Sequence, residues 1–102
     1  MGEKYDKLVR DKIPEILDAK NIAYERRIAS SEEYKTELIK KLGEEIREFV
    51  EAGDPEELAD VMEVIEALKM LPDYESVEDL RKKKLQERGG FSQHIILKGE
   101  KE

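Results

Sequence analysis

The chain has no cysteine, no tryptophan, one histidine (His94) and three prolines in 102 residues. Without cysteine there is no disulfide framework, no thiolate metal site and no thiol nucleophile. A single histidine leaves no Ser-His or Cys-His constellation, and His94 lies in an apolar stretch where it reads as structural. No apolar run approaches the ~20 residues that span a membrane, and no signal-peptide pattern opens the chain. No membrane partner is expected, and a cytoplasmic location is. Positive charge is also in short supply: 19 Lys+Arg stand against 26 Asp+Glu, a net charge of -7. An acidic balance argues against binding a nucleic-acid polymer. It suits a protein whose acids hold a cation.

What is present is periodic. Hydrophobic residues make up 38% of the chain, a low share for a compact monomer, yet they cluster at helical spacing rather than scattering as in a disordered chain. The length predicts one domain over residues 1–102. Part of the core is expected to come from a second subunit.

Asp11 and Pro14 predict the start of a short helix carrying Ile13, Ile16 and Leu17, closed at Lys20-Asn21. Residues 22–28 alternate weakly and suggest a short strand. Ser30 with Glu33 forms a capping box before a long stripe of Tyr34, Leu38, Ile39, Leu42, Ile46, Phe49 and Val50. Ala52-Gly53 stops that helix, and Asp54-Pro55-Glu56-Glu57 starts the next, which carries Leu58, Val61, Met62, Ile65, Leu68 and Leu71. So short a turn predicts a tight antiparallel hairpin. Ser76, with Asp79 three residues on, predicts the cap of a basic helix that ends at Gly89-Gly90. Residues 91–97 suggest a second short strand, and GEKE (99–102) reads as a frayed tail. The fold class is therefore all-α, a helical hairpin in a bundle completed by oligomerisation, with room for one small two-stranded β element.

Four acids stand out. Glu45 and Glu48 are three residues apart on the first long helix, and Glu57 and Asp60 repeat that spacing on the second. Facing positions of an antiparallel pair have residue numbers of constant sum. Glu48 with Glu57 and Glu45 with Asp60 share one sum, centred between Ala52 and Gly53. Four carboxylates meeting there repel one another unless a cation neutralises them. Oxygen ligands select Mg²⁺, Mn²⁺ or Ca²⁺ over zinc. The competing reading is a solvated surface, since 26 acids produce such pairs by chance. Against it, Glu45, Glu48 and Asp60 border the apolar stripe instead of opposing it.

The motifs EEIRE (44–48) and EELAD (56–60) resemble the Glu-x-x-Glu and Glu-x-x-Asp signature of the all-α nucleotide pyrophosphohydrolases. YDKLVRDKIPEIL (5–17), EELADVMEVIEAL (56–68) and ERGGF (87–91) are similar to a small MazG-like subgroup that opens with KLVRDKIPE. The resemblance covers nearly the whole chain, although the gap between the acid motifs is shorter than in many members. It implies Mg²⁺-dependent hydrolysis of a nucleoside triphosphate, standard or non-standard, to monophosphate and pyrophosphate, in the house-cleaning manner of that group. Phosphoribosyl-ATP pyrophosphohydrolase is the alternative with the same chemistry. A non-catalytic helical interaction module is the alternative from another class.

On this reading Glu45, Glu48, Glu57 and Asp60 hold Mg²⁺ or Mn²⁺. Glu45 or Glu48 takes the proton of the attacking water. Lys84 and Arg88, one turn apart before Gly89-Gly90, are expected to grip the phosphates, with Lys7, Arg10 and Lys12 as a second basic group. Tyr5, Tyr24, Tyr34 and Phe91 are available to line a base pocket. The assembly is expected to be a homodimer or a dimer of dimers, with Leu38, Leu42, Phe49, Leu58, Met62 and Ile65 in a shared core.

Overall fold

The computed structural model describes residues 6–100. Tyr5 and the last two residues of the expected tail lie outside them. The elements in chain order are α1 (Ile13–Ala19), α2 (Ser31–Ala52), α3 (Pro55–Lys69), a 3₁₀ turn (Pro72–Tyr74) and α4 (Val77–Arg88). Among the described residues there is no strand, so the chain is all-α.

The hairpin of α2 and α3 is the centre of the molecule, and its ends are fixed by local chemistry. Ser30 Oγ accepts from the Glu33 N–H at 3.2 Å, and Asp54 Oδ1 accepts from the Glu57 N–H at 2.9 Å. Each such cap contributes about 1 kcal/mol. Gly53 closes α2 in the left-handed region (φ 66), and its N–H donates to Phe49 O at 2.7 Å. A side chain there would be strained, which is why glycine ends the helix. The seam between the helices buries Leu38, Val61 and Val64, and with them one acid, Glu45.

α1 ends as its sequence predicts. Asn21 adopts φ 55, the Ile22 N–H reaches Leu17 O and the Asn21 N–H reaches Asp18 O, a Schellman closure. Its start differs from expectation. Lys12, not Asp11, occupies the capping position, and no side chain caps the helix. Ser76 likewise precedes α4 without a capping hydrogen bond. Its backbone is already helical (φ -88, ψ 0), which turns the hydroxyl away from the free N–H groups.

Neither expected strand forms. Ile28 is exposed, and Arg27 next to it spends both guanidinium nitrogens on Glu33 at 2.6 Å. In the other segment Phe91, Ile95, Ile96 and Leu97 are all exposed, and His94 bends the chain in the left-handed region (φ 59). A weakly alternating run becomes a strand only when another strand supplies its hydrogen bonds. Neither run meets one.

The shape is extended, 55 × 32 × 23 Å with a radius of gyration of 18.0 Å. A globular chain of this length measures about 13 Å. The chain leaves 9786 Å² accessible, where a folded monomer of its mass exposes about 6,000 Å². Much of the excess is apolar. Ile39, Ile46 and Val50 on α2 share one broad face of the hairpin with Leu58, Met62 and Ile65 on α3, and all six are exposed. Of the residues expected in a shared core, Leu58, Met62 and Ile65 are exposed, Leu42 and Phe49 are half-buried, and Leu38 is an exception. At 3% exposure it already belongs to the core within the chain.

Candidate metal centre

Helix geometry determines which acids meet. Glu45 points into the α2–α3 seam two turns after Leu38, and its side chain is only 9% exposed. On α3, Glu57 and Asp60 flank the seam one turn apart, beside buried Val61. One carboxylate oxygen from each of Glu45, Glu57 and Asp60 lies within 4.8 Å of the other two. Glu48 is outside this trio. One turn beyond Glu45 and about 60° round the helix, Glu48 lies at the exposed edge of the same face, outside the seam.

The electrostatics of the four acids follow from this placement. The charge of Glu45 raises the Glu48 pKa above the usual glutamate value, with desolvation, a hydrogen bond to Glu45 and the charges of Glu57 and Glu44 adding to the shift. Desolvation raises Glu57, followed by the charges of Asp54, Asp60 and Glu45. Glu45 Oε2 and Glu57 Oε2 are buried without a hydrogen-bond partner. A buried oxygen left unpaired costs about 1–3 kcal/mol, more when charged. Two orphaned oxygens in a three-carboxylate cluster fit a hard divalent cation, which takes oxygen ligands and cancels the repulsion.

Two cations from the N-terminal segment reach the same region. Arg10 Nη2 meets Asp60 Oδ1 at 2.6 Å, and Lys7 Nζ meets Glu44 Oε1 at 2.6 Å. The hydrogen bond from Lys7 holds Glu44 below the usual glutamate value. Both residues were expected to grip phosphates, and both are here engaged with carboxylates.

Lys84 and Arg88 stand apart from the cluster. They are exposed on α4, which buries no residue, and neither has an ionic partner among the described residues. α4 is tied to α3 chiefly by Lys69 Nζ and Glu78 Oε1 at 3.6 Å. Lys12 is exposed as well. Of the described aromatic residues expected in a base pocket, Phe91 is 98% exposed, and the Tyr24 hydroxyl donates to Asp18 Oδ1 at 2.9 Å.

Lys41, which the sequence did not single out, belongs to the site's surroundings. Lys41 Nζ is 3.3 Å from Glu45 Oε1 and 3.9 Å from Glu44 Oε1. Its signal was the Lys-to-Glu spacing of four residues. Lys40, Lys41 and Arg47 line a cleft of about 460 Å³ between α2 and the N-terminal segment, beside Glu44. Gly43 on its floor faces Arg47, whose Nη1 would lie 3.7 Å from an added Cβ.

Compared with family models, curated proteins and solved structures, the chain gives no match. The metal reading rests on the geometry of these residues, and the nucleotide reading on the resemblance carried by EEIRE (44–48) and EELAD (56–60).

Proposed function

We propose that the protein is a divalent-metal-dependent nucleotide pyrophosphohydrolase, with a nucleoside triphosphate, standard or non-standard, as its substrate. The observation that carries this reading is the trio of Glu45, Glu57 and Asp60 with two buried, unpartnered oxygens. Mg²⁺, or Mn²⁺ in its place, is the cation proposed. Bound there, it supplies charge neutralisation for the triphosphate and an acidified water.

The chain's own residues do the rest. Glu48, beside Glu45 and outside the trio, is the proposed proton acceptor. Water adds across the α–β phosphoanhydride. Its oxygen bonds to phosphorus, the bridging P–O bond breaks, and its proton passes to Glu48 as monophosphate and pyrophosphate separate. Lys41 keeps Glu45 oriented from 3.3 Å, and Lys40 and Arg47 bring positive charge to the adjoining cleft.

The active form in this reading is a homodimer or a dimer of dimers in the cytoplasm. The second copy covers Ile46, Val50, Leu58, Met62 and Ile65. The excess accessible surface supports this, because it exceeds the roughly 800–2,500 Å² per partner that stable dimers bury. No helix among the described residues is long and apolar enough to cross a membrane. The same exposed stripe is what favours the rival reading, a non-catalytic module that docks a partner helix.

One experiment separates them. Pyrophosphate release is measured with Mg²⁺ against a panel of standard and damaged nucleoside triphosphates, with phosphoribosyl-ATP included. Metal-dependent release that Glu45→Gln abolishes is the expected result. A chain with no release on any member of the panel is not this enzyme.

A further inference from the structure

The N-terminal segment does more than cover the hairpin. Residues 6–12 cross the acidic face, with Lys7 on Glu44 of α2 and Arg10 on Asp60 of α3. Leu8 and Val9 between them are half-buried. Of the three clustered acids, Glu45 is buried and held by Lys41 from its own helix, and Glu57 keeps an unpartnered oxygen. Among the described residues, only Asp60 has its counter-charge from a different part of the chain.

That counter-charge is poorly placed for permanent neutralisation. Arg10 engages the outer side of the cluster, where its side chain is 55% exposed and that of Asp60 is 41% exposed. Arg10 and Lys41 bring two positive charges to four acids, Glu45, Glu48, Glu57 and Asp60. The buried oxygens of Glu45 and Glu57 are left untouched. A guanidinium stays protonated at any ordinary pH, so it cannot give way by losing its proton. It can only be moved. An exposed ion pair is weak enough for that, worth about 0–1 kcal/mol.

We propose that Arg10 is the exchangeable counter-charge of the carboxylate centre. It pairs with Asp60 while no divalent cation is bound, is displaced when one binds, and is then free to meet the phosphates of the substrate. The inference rests on the metal-centre reading above and adds an order to it: the cation enters first, and its entry releases a phosphate ligand. A guanidinium beside the site then recognises two phosphate oxygens at once, as a lysine could not.

The test is calorimetric titration of the full chain with Mn²⁺ alone at low ionic strength, for the native sequence, Arg10→Ala, Arg10→Lys and Arg27→Ala. Arg27 pairs with Glu33, 12 positions before Glu45 on α2, about 18 Å away, and controls for the loss of one positive charge. Arg10→Ala is expected to bind Mn²⁺ about two- to five-fold tighter. Arg27→Ala is expected to match the native chain, and Arg10→Lys to fall between. In saturating Mn²⁺, inorganic pyrophosphate is expected to bind Arg10→Ala about ten-fold more weakly than the native chain.

Unchanged or weakened Mn²⁺ binding in Arg10→Ala overturns the displacement and leaves the metal centre standing. Unchanged pyrophosphate binding overturns the handover to phosphate. No Mn²⁺ binding by any of the four chains removes the metal centre and this inference together. Arg10→Gln, similar in reach and uncharged, repeats the measurement if alanine disturbs the segment.

Discussion

The two broad faces of the α2–α3 hairpin are built on the same pair of helices and are completed differently. On one, Asp60 and Glu44 draw Arg10 and Lys7 across from the N-terminal segment, so the chain supplies its own partners. On the other, Ile46, Val50, Leu58, Met62 and Ile65 stand open. Charge can be balanced by a few long side chains at the end of an extended segment. Apolar surface needs another packed surface of similar area, and α1 and α4, which bury no residue, do not supply one. In the proposed reading the acidic face takes a cation and the apolar face takes a second copy of the chain.

Disrupting the apolar face has the largest expected effect. Met62→Glu sets a charge in the middle of the stripe, and burying it against a second copy costs several kcal/mol. A dimer should become monomeric at micromolar concentration by light scattering. A native chain that already runs as an 11.9 kDa monomer would remove the contrast between the faces.

Disrupting the acidic face should remove activity and spare the fold. Glu57→Gln takes away a desolvated acid that Asp54, Asp60 and Glu45 repel. Metal-dependent turnover should fall by about 100-fold or more, while the metal-free melting temperature holds or rises. Melting curves with and without Mg²⁺ check both halves. A lower metal-free melting temperature would make Glu57 a structural residue.

A pH series sharpens the same point. Glu48 and Glu57 both have folded-state pKa values above the usual glutamate value. Their favourable contribution is therefore fully present below the unfolded value near 4.5 and is lost as pH rises through the raised values. Without metal, the native chain should be less stable than the Glu48→Gln/Glu57→Gln double variant at pH 7, and the gap should close as pH falls toward 4.5. With Mg²⁺ at pH 7 the order should reverse. A gap that widens on acidification would mean that the two acids are paired and not repelled.

The smallest effect is expected on α4. Lys84→Ala and Arg88→Ala should leave stability within about 0.5 kcal/mol, since both side chains are exposed and unpaired. Arg47→Ala, at the cleft, should raise KM for the triphosphate more than either. A ten-fold rise in KM for Arg88→Ala would instead bring α4 over the phosphates.

Ser30 and Ser76 show how far local signals reach. Each is followed three residues later by an acid and precedes a helix. Ser30 caps α2 because its backbone is extended (φ -67, ψ 165), whereas Ser76 continues the turns after Pro72 in helical geometry and caps nothing. The approach of the preceding chain decides the matter, and that approach is not encoded in four residues. The expected strands failed for a related reason, because pairing is a property of two segments and no single segment carries it.

By itself the sequence determined the helices of the hairpin and the turn between them, which depend on neighbours a few residues apart. Helix periodicity, the Asp54 cap and Gly53 set α2, α3 and the hairpin turn, Asn21 ends α1, and the turn brings acids on the two helices level. Only the tertiary structure decided which acids converge. Packing buries Glu45 in the seam with Glu57 and Asp60 and leaves Glu48, on the same helix face, at its exposed edge. It also decided that Arg10, 50 positions from Asp60, is the cation on that acid, and that α4 buries no residue against the hairpin. Contacts over such separations are chosen by how whole elements pack, because one exposed ion pair is too weak to choose its own partner.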